Sequence, residues 1–196
     1  MVLRGHIRSG DSMNFVDYQP LAAKTAVYPH TVPDFGMAYC ALKLNGEVSE
    51  LGEKVDALAT APEAMREDMT EAARKEAGDV YWYIANLGLE GKLTLRDVAT
   101  TPPDAFASAH DCTVALSRWA GAVAESIGKA YRDDGGTLTD KRQAAIQQAL
   151  DDMLLGLAWL TRTTLGTTVE AVLAANIAKL HSRQQRGQIH GSGDER

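Results

Sequence analysis

Tyr39-Cys40-Ala41-Leu42-Lys43-Leu44-Asn45-Gly46-Glu47-Val48-Ser49-Glu50-Leu51-Gly52-Glu53-Lys54 carries apolar residues at helical spacing without strand-like alternation, and it decides the fold. Extended in both directions, this pattern predicts a helix from an N-cap at Asp34 to about Leu58. The next helix follows Thr60 and Pro62, suited to the cap and first turn, and ends at Gly91. Upstream, Phe15–Val27 reads as a helix in which Pro20 demands a late start or a kink. Downstream, a short helix over Thr94–Val98 precedes the breaker Thr101-Pro102-Pro103. Asp104 then caps a helix to Arg132, stopped by Asp133-Asp134-Gly135-Gly136, and another spans Thr139–Thr164 before Gly166. Thr167-Thr168-Val169-Glu170 has capping-box spacing and opens a last helix through Gln185. The expected fold is an all-α helical bundle. Residues 1–12 read as an N-terminal extension. Residues 187–196 read as a Gly-rich tail, a loop that either closes over a neighbouring site or does not.

Composition narrows the function. Apolar residues make up 45% and charged residues 23%, ordinary for a globular protein, and no apolar run is long enough to span a membrane. The first residues lack a signal-type apolar run, which argues against export and for the cytoplasm, bacterial or that of a phage host. Cys40 and Cys112 are too few for a disulfide framework and read as buried, reduced thiols. A net charge of −6 argues against a nucleic-acid partner held by phosphate contacts, while a cation can still bring in a phosphorylated metabolite.

The two halves of the chain resemble each other. Gly46, Glu50 and Lys54 match Gly121, Glu125 and Lys129 at an offset of 75, and Asp79 matches Asp152 at an offset of 73. Either these are chance identities between unrelated helix pairs, or the chain is an internal pseudo-dimer split near Pro102-Pro103. On the second reading, residues 13–100 form one repeat and 104–186 another. Glu47 and Glu76 face Ala122 and Ala149, so the second repeat is degenerate and completes the bundle without a full site of its own.

Glu47 and Glu50 sit three apart, as do Glu76 and Asp79, and residues at i and i+3 share a helix face. If the two helices pack antiparallel, four carboxylates converge among apolar neighbours. Two unit charges about 5 Å apart at an effective dielectric near 20 repel by roughly 3 kcal/mol. A divalent cation relieves that directly, and all-oxygen ligands suit Mg²⁺ or Mn²⁺ better than zinc. Either pair alone would more often be a solvated face; two pairs on consecutive long helices shift the balance toward metal.

The run from Tyr39 to Lys54, followed by Glu76-Ala77-Gly78-Asp79-Val80-Tyr81-Trp82-Tyr83-Ile84-Ala85, resembles the MazG-type nucleotide pyrophosphohydrolases, whose motif is ExxE, a spacer, then ExxD. Here residues 51–75 form a spacer of 25. Tyr18-Gln19 resembles the family's first helix, and Asn176-Ile177-Ala178-Lys179-Leu180-His181-Ser182-Arg183 with the Gly-rich end resembles the closing stretch of phage and bacterial members. The resemblance implies the all-α NTP pyrophosphatase fold. It also implies Mg²⁺-dependent cleavage of a nucleoside triphosphate to monophosphate and pyrophosphate, with Mn²⁺ able to substitute. Glu47, Glu50, Glu76 and Asp79 would be the metal and catalytic residues, and Asn176, Lys179 and Arg183, on one face of the last helix, would hold phosphates. Lys54 either reaches a phosphate or pairs with Glu50, and Asn86 is a candidate contact to sugar or base. Trp82 and Tyr83 read as core rather than as a stacking platform.

Base preference is not legible. The family includes broad housecleaning enzymes, dUTP- and dCTP-directed relatives, and phage forms that remove dGTP where 2-aminoadenine replaces adenine. The closing stretch favours a deoxynucleotide-pool role with dGTP as the expected substrate. Single-repeat relatives pair to build their bundle, which makes a homo-oligomer the expected assembly. The main alternative is a non-catalytic nucleotide-sensing or helical interaction module that keeps the acidic cluster. A ferritin-like iron bundle needs Glu-x-x-His pairs, and none of the five histidines has a glutamate three residues earlier.

Overall fold

A computed structural model of the chain describes residues 13–29, 35–97 and 106–187. Among them there are six helices and no strand: α1 (Phe15–Ala23), α2 (Phe35–Ala59), α3 (Glu63–Glu90), α4 (Ala109–Asp133), α5 (Asp140–Thr163) and α6 (Val169–Gln185). The fold is an all-α bundle. No helix among the described residues is long and apolar enough to cross a membrane.

Two long hairpins form the frame. α2 packs against α3, α4 packs against α5, and the hairpins meet through α2 and α4. α1 and α6 pack on α3. One apolar cluster draws residues from all six helices, among them Tyr18, Leu44, Tyr81, Leu116, Leu154 and Leu173. Cys40 and Cys112 are both buried free thiols. Asn45 and Ala120, 75 positions apart, touch through a 3.4 Å bond from Nδ2 to the carbonyl.

Helix boundaries differ from expectation where local chemistry intervenes. α1 starts at Phe15, capped by Asn14 Oδ1, which accepts from the Asp17 amide at 2.8 Å; Pro20 lies inside it, so there is no late start. Val16 and Pro20 both face solvent, where water can satisfy the carbonyl the proline ring leaves unbonded. The helix ends at Ala23, short of Val27, because Thr25 Oγ1 turns back onto the Ala22 carbonyl and accepts from Trp82 Nε1. Pro62, expected inside the first turn of α3, is instead its N-cap.

Residues 94–97 are not helical. Leu95 is buried against Gly88, and the Arg96 amide and guanidinium both go to Asp151, so tertiary contacts take the place of a helical turn. α4 begins at Ala109 with Ser108 as N-cap, later than a cap at Asp104 requires, because Phe106 is drawn against Trp119 and Trp159. Asp104 and Asp34, the expected caps of α4 and α2, lie outside the described residues, as does the tail beyond Gly187. α6 is capped by Thr168, whose hydroxyl accepts from Ala171 N at 3.2 Å. The expected box is thus shifted by one residue, and Ala171 stands where a reciprocating glutamate would be needed.

Candidate functional site

α2 places Glu47 between Leu44, Val48 and Leu51 on its buried face, with Glu50 one turn on and exposed. α3 places Glu76 between Ala73, Ala77 and Val80. Glu47 is 9% exposed and Glu76 is 6% exposed, so two of the carboxylates are sunk into the α2–α3 seam. One oxygen from each of Glu47, Glu50 and Glu76 lies within 4.8 Å of the others. The antiparallel hairpin thus brings three of the four expected acids together.

Asp79 takes a different position. Its Oδ1 accepts from Asn176 Nδ2 at 2.8 Å and its Oδ2 from the Lys179 ammonium at 2.6 Å. Asn176 Oδ1 accepts in turn from Tyr18 Oη at 2.7 Å, so α1, α6 and α3 are tied through one carboxamide. Both Asp79 oxygens thus accept from α6, and Asp79 is not among the three carboxylates that converge. It remains close enough to act on Glu47. Burial raises the Glu47 carboxyl above the usual range, and the Asp79 charge raises it further, against the opposing effect of Lys43. Lys43 Nζ lies 3.2 Å from Glu47 Oε1. Burial likewise raises the Tyr18 hydroxyl well above its ordinary value, with Asp79 adding to the effect.

The other expected site residues divide. Asn176 and Lys179 are beside the carboxylates. Arg183 is 6% exposed and Asn176 is 3% exposed, so this face of α6 is not a solvated basic stripe. Lys54 is exposed and lines a shallow depression with Glu53 and Asp68; among the described residues it has no ion pair with Glu50. Asn86 is 1% exposed, donates to the Trp82 carbonyl at 2.9 Å and accepts from Tyr28 Oη at 3.4 Å. Its carboxamide is thus engaged in the interior and is not brought to the cluster. Trp82 is buried, as expected, with its indole N–H on Thr25 Oγ1 at 2.9 Å. Tyr83 is half-buried, edge-on to Trp82 and 6.4 Å from the Tyr39 ring.

Sequence reading missed three features. Lys43 lies four residues before Glu47 and was visible as an i,i+4 ion pair. Gly78, inside the second acidic motif, lets α6 close on α3: a β-carbon there would lie 3.0 Å from Asn176 Cβ. A glycine in mid-helix was the available signal. The third is a groove of about 370 Å³ between α3 and α6, lined by Arg74, Lys75 and Lys179 among others, which needed the pairing of two distant helices to be seen.

The chain is 32% identical over 111 residues to the Gene 37 protein of Mycobacterium phage L5, an alignment covering 52% of this chain and 96% of that protein. The chain belongs to the family of that phage protein. No family model matches it, and no solved structure matches it. The name Gene 37 protein carries no activity, so the chemistry of this family member has to be argued from its side chains.

Proposed function

We propose that this Gene 37 relative is a Mg²⁺-dependent nucleoside triphosphate pyrophosphohydrolase of MazG-like type. Water attacks the α-phosphorus, the α–β phosphoanhydride bond breaks, and the nucleoside monophosphate and pyrophosphate leave. The observation that carries the reading is the convergence of Glu47, Glu50 and Glu76 within 4.8 Å, two of them buried, with the Asp79–Lys179 pair one turn along α3 from Glu76.

The donor set fits the cation. Three carboxylates in a partly desolvated seam repel one another, and burial, with the Asp79 charge, already raises the Glu47 carboxyl. All-oxygen ligation matches Mg²⁺ or Mn²⁺. When bound, such an ion lowers the pKa of water and neutralises charge on phosphate oxygens. Glu47, Glu50 and Glu76 hold it. Glu50, the exposed member, meets the incoming water and orients it. Asp79 and Asn176 fasten α6 to α3 at the edge of the cluster, where the Lys179 ammonium meets phosphate oxygens. Lys43, one turn earlier on α2, holds Glu47 in place.

The proposed substrate class is deoxynucleoside triphosphates, with dGTP tested first. The full chain is incubated with each common dNTP and NTP in Mg²⁺, and pyrophosphate and orthophosphate are measured separately. Pyrophosphate release that disappears in folded Glu47→Gln and Glu76→Gln variants supports the proposal. Release of orthophosphate alone, or nucleotide binding with no turnover, refutes it, and the latter would favour a nucleotide sensor.

A further inference from the structure

Lys43 and Glu47 form an ion pair across one turn of α2, with Nζ 3.2 Å from Oε1. The lysine precedes the glutamate, the weaker order for such a pair on a helix. The partners also differ in exposure: the Lys43 side chain is 43% exposed and that of Glu47 11%. The ammonium can therefore withdraw into water on its flexible stem, while the carboxylate stays in the α2–α3 seam. Burial works against the charged form of Lys43. Glu47 outweighs it through charge and hydrogen bond and raises the ammonium above its ordinary value, with Tyr39 and Glu50 adding to the effect. Lys43 thus interacts with two of the three carboxylates that converge within 4.8 Å.

We propose that Lys43 is a displaceable counter-ion, which neutralises Glu47 in the cation-free protein and competes with a divalent cation for that carboxylate. A buried carboxylate without a partner is costly, so Lys43 stabilises the protein until a cation arrives. A divalent ion among Glu47, Glu50 and Glu76 would supply the charge instead, and an ammonium 3.2 Å from one of its ligands would repel it. Lys43 gives way by turning toward solvent. The free protein consequently takes up the cation weakly. A substrate that brings Mg²⁺ on its own phosphates adds the anionic oxygens that favour the exchange. The competition rests on the cation site of the proposed function; it does not depend on hydrolysis.

The experiment is calorimetric titration of Mn²⁺ into the full chain after its metals have been stripped with EDTA. Lys43→Gln binds about tenfold more tightly than wild type, and so does Lys43→Met, which keeps the apolar stem. Lys129→Gln removes an equal charge from the i,i+4 pair with Glu125 on α4 and leaves Mn²⁺ affinity at the wild-type level. Adding Glu76→Gln to Lys43→Gln abolishes the tight binding, which places it at the cluster. In EDTA, Lys43→Gln melts below wild type, and Mn²⁺ closes the gap; a purely structural Lys43 would leave the gap unchanged. Unchanged or weaker affinity in both folded Lys43 variants, or equal tightening in Lys129→Gln, overturns the competition and leaves the cation site standing. No Mn²⁺ binding by wild type or by either Lys43 variant removes the cation site and the competition together. Tighter binding in the Lys43 variants of a protein that hydrolyses no nucleotide upholds the competition and removes the hydrolase alone.

Discussion

Gly78 and Asn176 approach so closely that a β-carbon on Gly78 would stand 3.0 Å from Asn176 Cβ and 3.1 Å from its Nδ2. Asn176 cannot yield cheaply, because Tyr18 and Asp79 hold both ends of its carboxamide. In Gly78→Ala, the overpacking cost of about 1–3 kcal/mol opposes a helix-propensity gain of about 1 kcal/mol. The anchoring of Asn176 decides the sign. Gly78→Ala should lower the urea midpoint modestly and cut pyrophosphate release far more, since α6 must shift and carry Lys179 away from Asp79. A variant with unchanged turnover would show that the α3–α6 approach does not set the site.

Cation binding should be visible without turnover. Among the described residues, Glu47, Glu50 and Glu76 are the group placed to share an ion, and an ion that binds only the folded state stabilises it by about 2.7 kcal/mol at a concentration of roughly 100 Kd. Mn²⁺ should therefore raise the Tm of wild type, and Glu76→Gln should remove the rise. Asp79→Asn should keep most of it, because Asp79 is committed to Asn176 and Lys179. Equal loss in Glu76→Gln and Asp79→Asn would return Asp79 to the ligand set.

Much of this was legible locally and little of it at long range. The stops at Gly91 and Gly166 and the i, i+3 spacing of the two acidic pairs follow from nearest-neighbour chemistry, which a sequence displays. The loss of helix at 94–97 does not, because Arg96 finds its partner Asp151 on another hairpin. Asp79 illustrates the same limit. Its spacing from Glu76 marks it as one of a pair, yet Lys179, a hundred residues away, claims it. Asn86 shares a helix face with acidic residues by spacing alone, and only the placement of Tyr28 reveals that its carboxamide is used inside the protein.

Asn86 consequently supplies a control. Asn86→Ala removes two buried side-chain hydrogen bonds, to the Trp82 carbonyl and from the Tyr28 hydroxyl, which keeps its 2.9 Å bond to Glu90; each lost bond costs about 0.5–1.5 kcal/mol. Chemical denaturation should report that loss, while KM for a nucleotide in the surviving folded fraction stays near wild type. A large rise in KM with unchanged stability would restore the sugar or base contact expected from the sequence.

The pH dependence of the α2–α4 contact can be followed at one residue. His110 Nδ1 lies 2.9 Å from Asp56 Oδ1, and that hydrogen bond, with the carboxylate's charge, raises the imidazole above its ordinary value. Because the folded-state value is the higher one, the pair's contribution to stability is complete below the unfolded histidine value near 6.5. It fades as pH rises through the folded value. The imidazole is fully exposed, so the effect on stability is small and salt-sensitive. NMR titration of the His110 ring should give a raised pKa that Asp56→Asn returns toward the ordinary value and that high salt lowers. An unshifted His110 in wild type would mean that α2 and α4 meet there without the ion pair.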